Sequence, residues 1–140
     1  MRVVADTNVV VSGLFWRGPS RFVLDAARTG AIQLFTTAPL LAELEDVLNR
    51  QRFLSKITQA DATPRSLVLS YAALATIVKP ASIDPVILED PDDDAVLECA
   101  ISADADVIVS GDSHLRRLEE YSNIRILSAR QMMEQLSSIE

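Results

Sequence analysis

Asp6 ends the apolar run Val3-Val4-Ala5, and three further acidic positions are placed to join it: Glu43, one of the run Asp92-Asp93-Asp94, and Asp112. Four carboxylates gathered in one place repel one another unless cations lie between them. That is the signature of a divalent-metal site, and oxygen-only ligation suits hard ions such as Mg²⁺ and Mn²⁺. Other reactive groups are few. His114 is the only histidine and Cys99 the only cysteine. Nothing pairs His114 with a nucleophile, so a surface histidine is expected there, and Cys99 is expected to be a packed thiol. No Walker loop and no GxGxxG fingerprint occurs.

The elements that must position these acids follow from pattern and punctuation. Val3-Val4-Ala5 reads as a buried strand stopping at Asp6. Gly13 and Gly18-Pro19 mark a loop, and Ser20 caps a helix to about Thr29, closed by Gly30. Ile32 to Phe35 reads as a second strand, and Pro39 opens a helix through about Asn49. A helical pattern follows Pro64 through Leu67, Leu74 and Ile77, with a short extended piece at Ile77-Val78. Asp90-Pro91 starts a helix carrying Val96, Leu97, Ala100 and Ile101 on one face. Asp106 to Ser110 is the clearest strand; a short helix follows Asp112, then a strand at Ile124 to Leu127 and a helix from about Ala129. Strands alternating with helices imply a mostly parallel sheet covered on both faces. In such sheets ligands bind beyond the carboxyl ends of strands, where Asp6 and Asp112 both fall.

Each acid also has an ordinary role open to it. Asp6 and Asp112 could be turn residues or helix caps. Glu43 lies at one edge of the stripe Leu40, Leu44, Val47 and Leu48, Glu45 at the other, and periodicity does not choose between them. Acids at 92–94 suit a helix N-terminus. Only Asp93 shares a face with Val96, Leu97 and Ala100, where a carboxylate is costly unless compensated. Trp16 and Arg17, in a glycine-containing stretch near Asp6, could stack on a base, hold a phosphate or pack on a partner chain.

At 140 residues and 49% hydrophobic, the chain is expected to be a single domain, 1–140, with a real core. One cysteine excludes an internal disulfide and fits a reducing cytoplasm. The N-terminus lacks a basic lead and Asp6 interrupts its apolar stretch, so neither a signal peptide nor a membrane span is expected. The net charge of −7 counts against a nucleic-acid binder, although two divalent cations among the acids would bring it to −3.

Val4-Ala5-Asp6-Thr7-Asn8-Val9, Leu41-Ala42-Glu43-Leu44, Asp90-Pro91-Asp92-Asp93-Asp94 with Leu97-Glu98-Cys99-Ala100, and Ile108-Val109-Ser110-Gly111-Asp112 occur in the order of a PIN domain. The chain resembles that family over nearly its whole length, and looks like its branch of toxins of toxin–antitoxin systems (VapC-like ribonucleases). The resemblance implies a three-layer α/β/α fold and a ribonuclease dependent on one or two Mg²⁺ or Mn²⁺ ions. It further implies an RNA substrate, a cognate antitoxin and a homodimer. Carried over by position, Asp6, Glu43, Asp93 and Asp112 are the site acids, with Asn8 and Ser110 as accessory polar residues. Counting back from Asp112 gives Asp94 in place of Asp93. Two other readings compete. One is a PIN fold that binds RNA or protein without cutting, a class that usually loses one or more acids. The other is a phosphatase of the haloacid-dehalogenase pattern, which needs an Asp where this chain has Asn8.

Overall fold

A computed structural model describes residues 1–87 and 93–138. Its elements are β1 (Arg2–Ala5), α1 (Thr7–Phe15), α2 (Pro19–Arg28), β2 (Gln33–Thr36), α3 (Ala38–Leu48), α4 (Gln51–Gln59) and α5 (Pro64–Leu74). They continue with β3 (Thr76–Ile77), α6 (Asp94–Ser102), β4 (Val107–Val109), α7 (Ser113–Arg116), β5 (Glu120–Tyr121), β6 (Ile124–Leu127) and α8 (Ala129–Ser137). The sheet runs β3-β2-β1-β4-β6-β5, parallel except for β5, which returns on β6 as a hairpin. Residues Asp90, Pro91 and Asp92, where the sequence suggests a helix start, lie outside the described residues.

Alternation along the strands sorts the core into two layers. Val3 and Ala5 of β1, Leu34 of β2, Val107 and Val109 of β4 and Leu127 of β6 join α1, α2, α4, α5 and α8 on one face. Val4, Phe35, Ile108, Ile124 and Ile126 pack with α6 and α7 on the other. The fold is thus the expected α/β/α sandwich. Among the described residues no helix is long and apolar enough to cross a membrane.

The order of strands creates the site. From β1 the chain moves outward through β2 and β3, then crosses back to lay β4 on the other side of β1. The gap beyond the carboxyl ends of β1 and β4 is therefore a topological switch point, where an open α/β sheet leaves a crevice. The register pairs Ala5 with Val109, and the amide of Asp6 donates to the Val109 carbonyl at 3.0 Å. Asp6 and Ser110 consequently leave the sheet side by side.

Several local readings differ from the structure. Residues 7–15 form a helix although Val9-Val10-Val11 is a poor helical sequence. Burial of all three valines outweighs propensity, and the Asp6 side chain caps the first turn. Gly13 lies inside that helix and not in a loop. A Cβ there would sit 2.6 Å from Leu24 Cδ1 and 2.9 Å from the Ser20 carbonyl, so glycine lets α1 and α2 cross closely. The cap of α2 is Gly18 (φ 132°), followed by Pro19 in the first turn, in place of Ser20. Ile77 leaves the helical pattern for β3 because α5 ends at Leu74. Neither α4 nor β5 is marked in the sequence. Phe53 and Ile57 are the only fully buried residues of α4, and β5 turns back through Ser122 and Asn123, both at positive φ.

Candidate metal centre

Each acid is delivered by the end of an element. Asp6 follows β1 and begins α1: its Oδ1 accepts from the Val9 amide at 2.9 Å, and its Oδ2 accepts a short hydrogen bond from the Ser110 hydroxyl. Asp112 follows β4 and begins α7, with Oδ1 accepting from the amides of His114 (2.8 Å) and Leu115 (3.3 Å). Ser110 joins the two acids. Its hydroxyl donates to Asp6 and accepts from the Asp112 amide at 3.0 Å. The capping roles open to Asp6 and Asp112 are therefore real, and they coexist with a common cavity.

Asp6, Glu43, Asp93 and Asp112 line one small cavity, together with Thr7 and Asn8. The space in it open to the centre of a water-sized sphere is about 30 Å³, above the roughly 10–15 Å³ that one water needs on that measure, so it takes an ion or a water. In each pair that pattern leaves open, one acid lines the cavity and the other is engaged elsewhere. Glu45 points away and pairs with Arg65 of α5 at 2.8 Å, while Glu43 lines the cavity. Asp94 accepts from the Ile87 amide at 2.9 Å and the Val86 amide at 3.2 Å, holding the segment before α6, while Asp93 lines the cavity.

His114 is placed differently from its expected surface role. It is half-buried, with Nδ1 3.5 Å from Asp112 Oδ1 and 3.7 Å from Asp93 Oδ2. One ligand atom from each of Asp93, Asp112 and His114 lies within 4.8 Å of the others. The available sign in the sequence was its position two residues after Asp112, which a helix N-cap keeps beside the capping side chain. Thr7, buried on the cavity wall, was also missed. Cys99 is the packed thiol expected, fully buried on α6, with its pKa pushed up to about 12 by burial.

Asp6 shows what the site demands. It is 5% exposed, and burial is the main influence raising its pKa above the ordinary carboxylate value. The hydrogen bonds from Ser110, Val9 and Gly111 pull it back down, and the Asp112 carboxylate pushes it further up. A buried carboxylate facing a second one is compensated either by a proton or by a cation. The donor set is rich in carboxylate oxygen, as a hard divalent ion requires, with one imidazole at its edge. The residues present thus fit a divalent metal.

With this geometry established, comparison with known families is direct. The profile described as PIN domain matches residues 2–114, a span that contains all four acids, Ser110 and His114. No curated protein matches the chain. PIN domains are generally metal-dependent nucleases, and the topology and the acids at the switch point carry the same assignment as the profile: the chain belongs to the PIN domain family.

Proposed function

We propose that this protein is a Mg²⁺- or Mn²⁺-dependent endoribonuclease of the cytoplasm, acting as the toxin of a toxin–antitoxin pair. The observation that carries the nuclease reading is the convergence of Asp6, Glu43, Asp93 and Asp112 on one small cavity at the switch point. The non-catalytic alternative is expected to have lost one of these acids, and here all four line the wall.

In this reading Asp6, Asp93 and Asp112 hold one or two ions. When bound, such an ion supplies Lewis acidity toward the scissile phosphate and lowers the pKa of water. The chain's own residues do the positioning. Ser110 fixes the orientation of Asp6 and of the Asp112 backbone through one hydroxyl. Glu43, half-buried on the cavity wall, would complete the second ion's shell or orient the attacking water. Water attacks the phosphorus and the P–O3′ bond breaks, so the 3′-oxygen leaves as a hydroxyl and the other product keeps a 5′-phosphate, the ends the family resemblance implies.

The test is cleavage of labelled single-stranded RNA with Mg²⁺, Mn²⁺ or EDTA, wild type beside Asp6→Asn. Metal-dependent cutting that the variant loses supports the reading. Full activity in Asp6→Asn sinks it, and no cutting by either protein moves the weight to the binding module. The toxin role adds two partners, an antitoxin that blocks the cavity and a second copy of the chain. Growth arrest on expression, absent for Asp6→Asn, tests the toxin role itself, and relief of that arrest by a co-expressed partner tests the antitoxin. Light scattering tests the second, and a monomer at micromolar concentration refutes the dimer.

A further inference from the structure

The carboxylate cavity is small, and a substrate strand that reaches it also runs over the surface beside it. Next to it runs a groove of about 500 Å³ between α1 and α4, and Asn8 lines both. That volume lies within the ~300–1,000 Å³ typical of pockets that hold organic ligands. The groove walls include Trp16, Phe53, Arg52 and Lys56 and, among the described residues, no carboxylate. On a chain of net charge −7 this is a local reversal of sign.

Its aromatic side is rigid. Phe15 and Phe53 stack at 5.3 Å with planes 9° apart, and Trp16 leans on both, at 5.7 Å and 6.5 Å. Phe53 is buried at 6% exposure, whereas Trp16 remains 47% exposed. The indole is thus braced by two phenyl rings at its edges and still about half exposed. Two cations already lie on these rings: Lys56 Nζ is 4.6 Å from the Trp16 centroid, and the Arg52 guanidinium is 4.7 Å from that of Phe53. Arg52 and Lys56 are four residues apart on α4 and so project from one face. An aromatic platform flanked by cations is the recognition chemistry of unpaired nucleic acid.

We infer that this groove binds single-stranded RNA, with a base stacked on Trp16 and the flanking phosphates on Arg52 and Lys56, and leads the strand past Asn8 to the carboxylates. The lysine is a mobile point charge; as a base covers the indole, its ammonium moves to the phosphate. A duplex keeps its bases stacked inside and gives Trp16 nothing to receive. Arg17, the other residue singled out beside Trp16, is not on the groove wall.

This inference rests on RNA being the substrate, yet it can fail separately. Trp16 is the only tryptophan, so the emission of the intact protein reports on the platform directly. The protein is titrated in EDTA with a six-nucleotide oligouridine and with a duplex of the same length. Saturable quenching by the single strand and not by the duplex is expected. With two phosphate contacts the log–log salt slope is about −1.4, and Lys56→Ala or Arg52→Ala each reduces it by about 0.7. Trp16→Leu, followed by anisotropy of labelled RNA, weakens binding on the order of 10- to 100-fold. Lys56→Ala is exposed and leaves the core untouched, so it keeps the test valid if Trp16→Leu disturbs folding. Unchanged emission, equal quenching by the duplex, or RNA affinity indifferent to both Trp16→Leu and Lys56→Ala overturns the inference and makes the groove a face for a protein partner. Quenching in EDTA with no cleavage once Mg²⁺ or Mn²⁺ is supplied keeps the groove and counts against the nuclease; metal-dependent cleavage indifferent to Trp16 and Lys56 does the reverse.

Discussion

Replacing Asp6 by Asn should stabilise the metal-free protein and remove its stabilisation by metal, two effects of opposite sign from one substitution. Asn keeps the shape of the side chain: its oxygen can still accept from Val9, and its amide can donate to Ser110, whose hydroxyl then turns. What it removes is a buried charge. Because burial and Asp112 raise the folded pKa of Asp6 above its ordinary value of 3.8, the folded state holds this proton more tightly than the unfolded one. For Asp6 the penalty is therefore absent below pH 3.8, grows as pH rises toward the folded value, and is constant above it. In EDTA, Asn should melt higher than wild type near neutral pH, with the gap closing as pH falls toward 4. Metal acts the other way. At a hundred times its dissociation constant a site-bound ion adds about 2.7 kcal/mol to wild type. With an unfolding entropy of about 2.1 cal/mol/K per residue, the 140 residues give roughly 0.3 kcal/mol/K, so wild type should gain about 9 °C. Differential scanning calorimetry over pH 4–8, with EDTA and with Mn²⁺, reads both effects. Identical melting of the two proteins in EDTA at every pH, or an equal rise of both with Mn²⁺, would refute the account of the cavity.

The neighbouring residues give sharper discriminations. Glu43→Gln should lower RNA cleavage at least tenfold, whereas Glu45→Gln should leave it unchanged, since the exposed Arg65 pair it breaks contributes under about 1 kcal/mol. Ser110→Ala removes the hydroxyl that pulls the Asp6 pKa down, so titration calorimetry should find Mn²⁺ binding shifted to higher pH. Gly13→Ala adds up to about 1 kcal/mol of helix propensity. Against it, the new Cβ meets the Ser20 carbonyl at 2.9 Å, where backbone must give; overpacking of about 1–3 kcal/mol wins and urea unfolding should show a net loss. Cys99, buried with its thiol pushed up to about 12, should resist labelling at pH 8 until the protein unfolds.

The strands that frame the site were readable because burial on both faces makes them short apolar runs: Val3 to Ala5 and Val107 to Val109 have little other use. The acids that end them were readable for the same reason, as polarity begins where the sheet stops. The helix acids were harder. A hydrophobic stripe locates the core side of α3 but not which of its edges faces the crevice. That is decided by Arg65, twenty residues downstream, which takes Glu45. Asp94 likewise is claimed by the amides of residues 86 and 87, contacts that local pattern does not contain. Helix α1 was hidden by its three valines and Gly13, where tertiary packing overrides propensity. His114 stayed hidden because its meaning depends on Asp93, brought beside it from another element.

The overlap of capping and cavity explains how the acids are tolerated together. Asp6, Asp93 and Asp112 stand at the N-caps of α1, α6 and α7, so three helix starts converge where the carboxylates do. Helix N-termini present unpaired amides and a partial positive charge, which favour an anionic side chain there. In a parallel sheet this coincidence is built in, because helices start where strands end. Burial and the mutual repulsion of Asp6 and Asp112 oppose it, driving Asp6 toward protonation. The amides of Val9 and Gly111 and the Ser110 hydroxyl offset that drive without adding a net positive charge to the cavity. Dipoles steady the acids but cannot neutralise them. The cavity therefore retains an electrostatic demand that a cation or a proton satisfies, which is why metal and pH should act on this protein through the same residue.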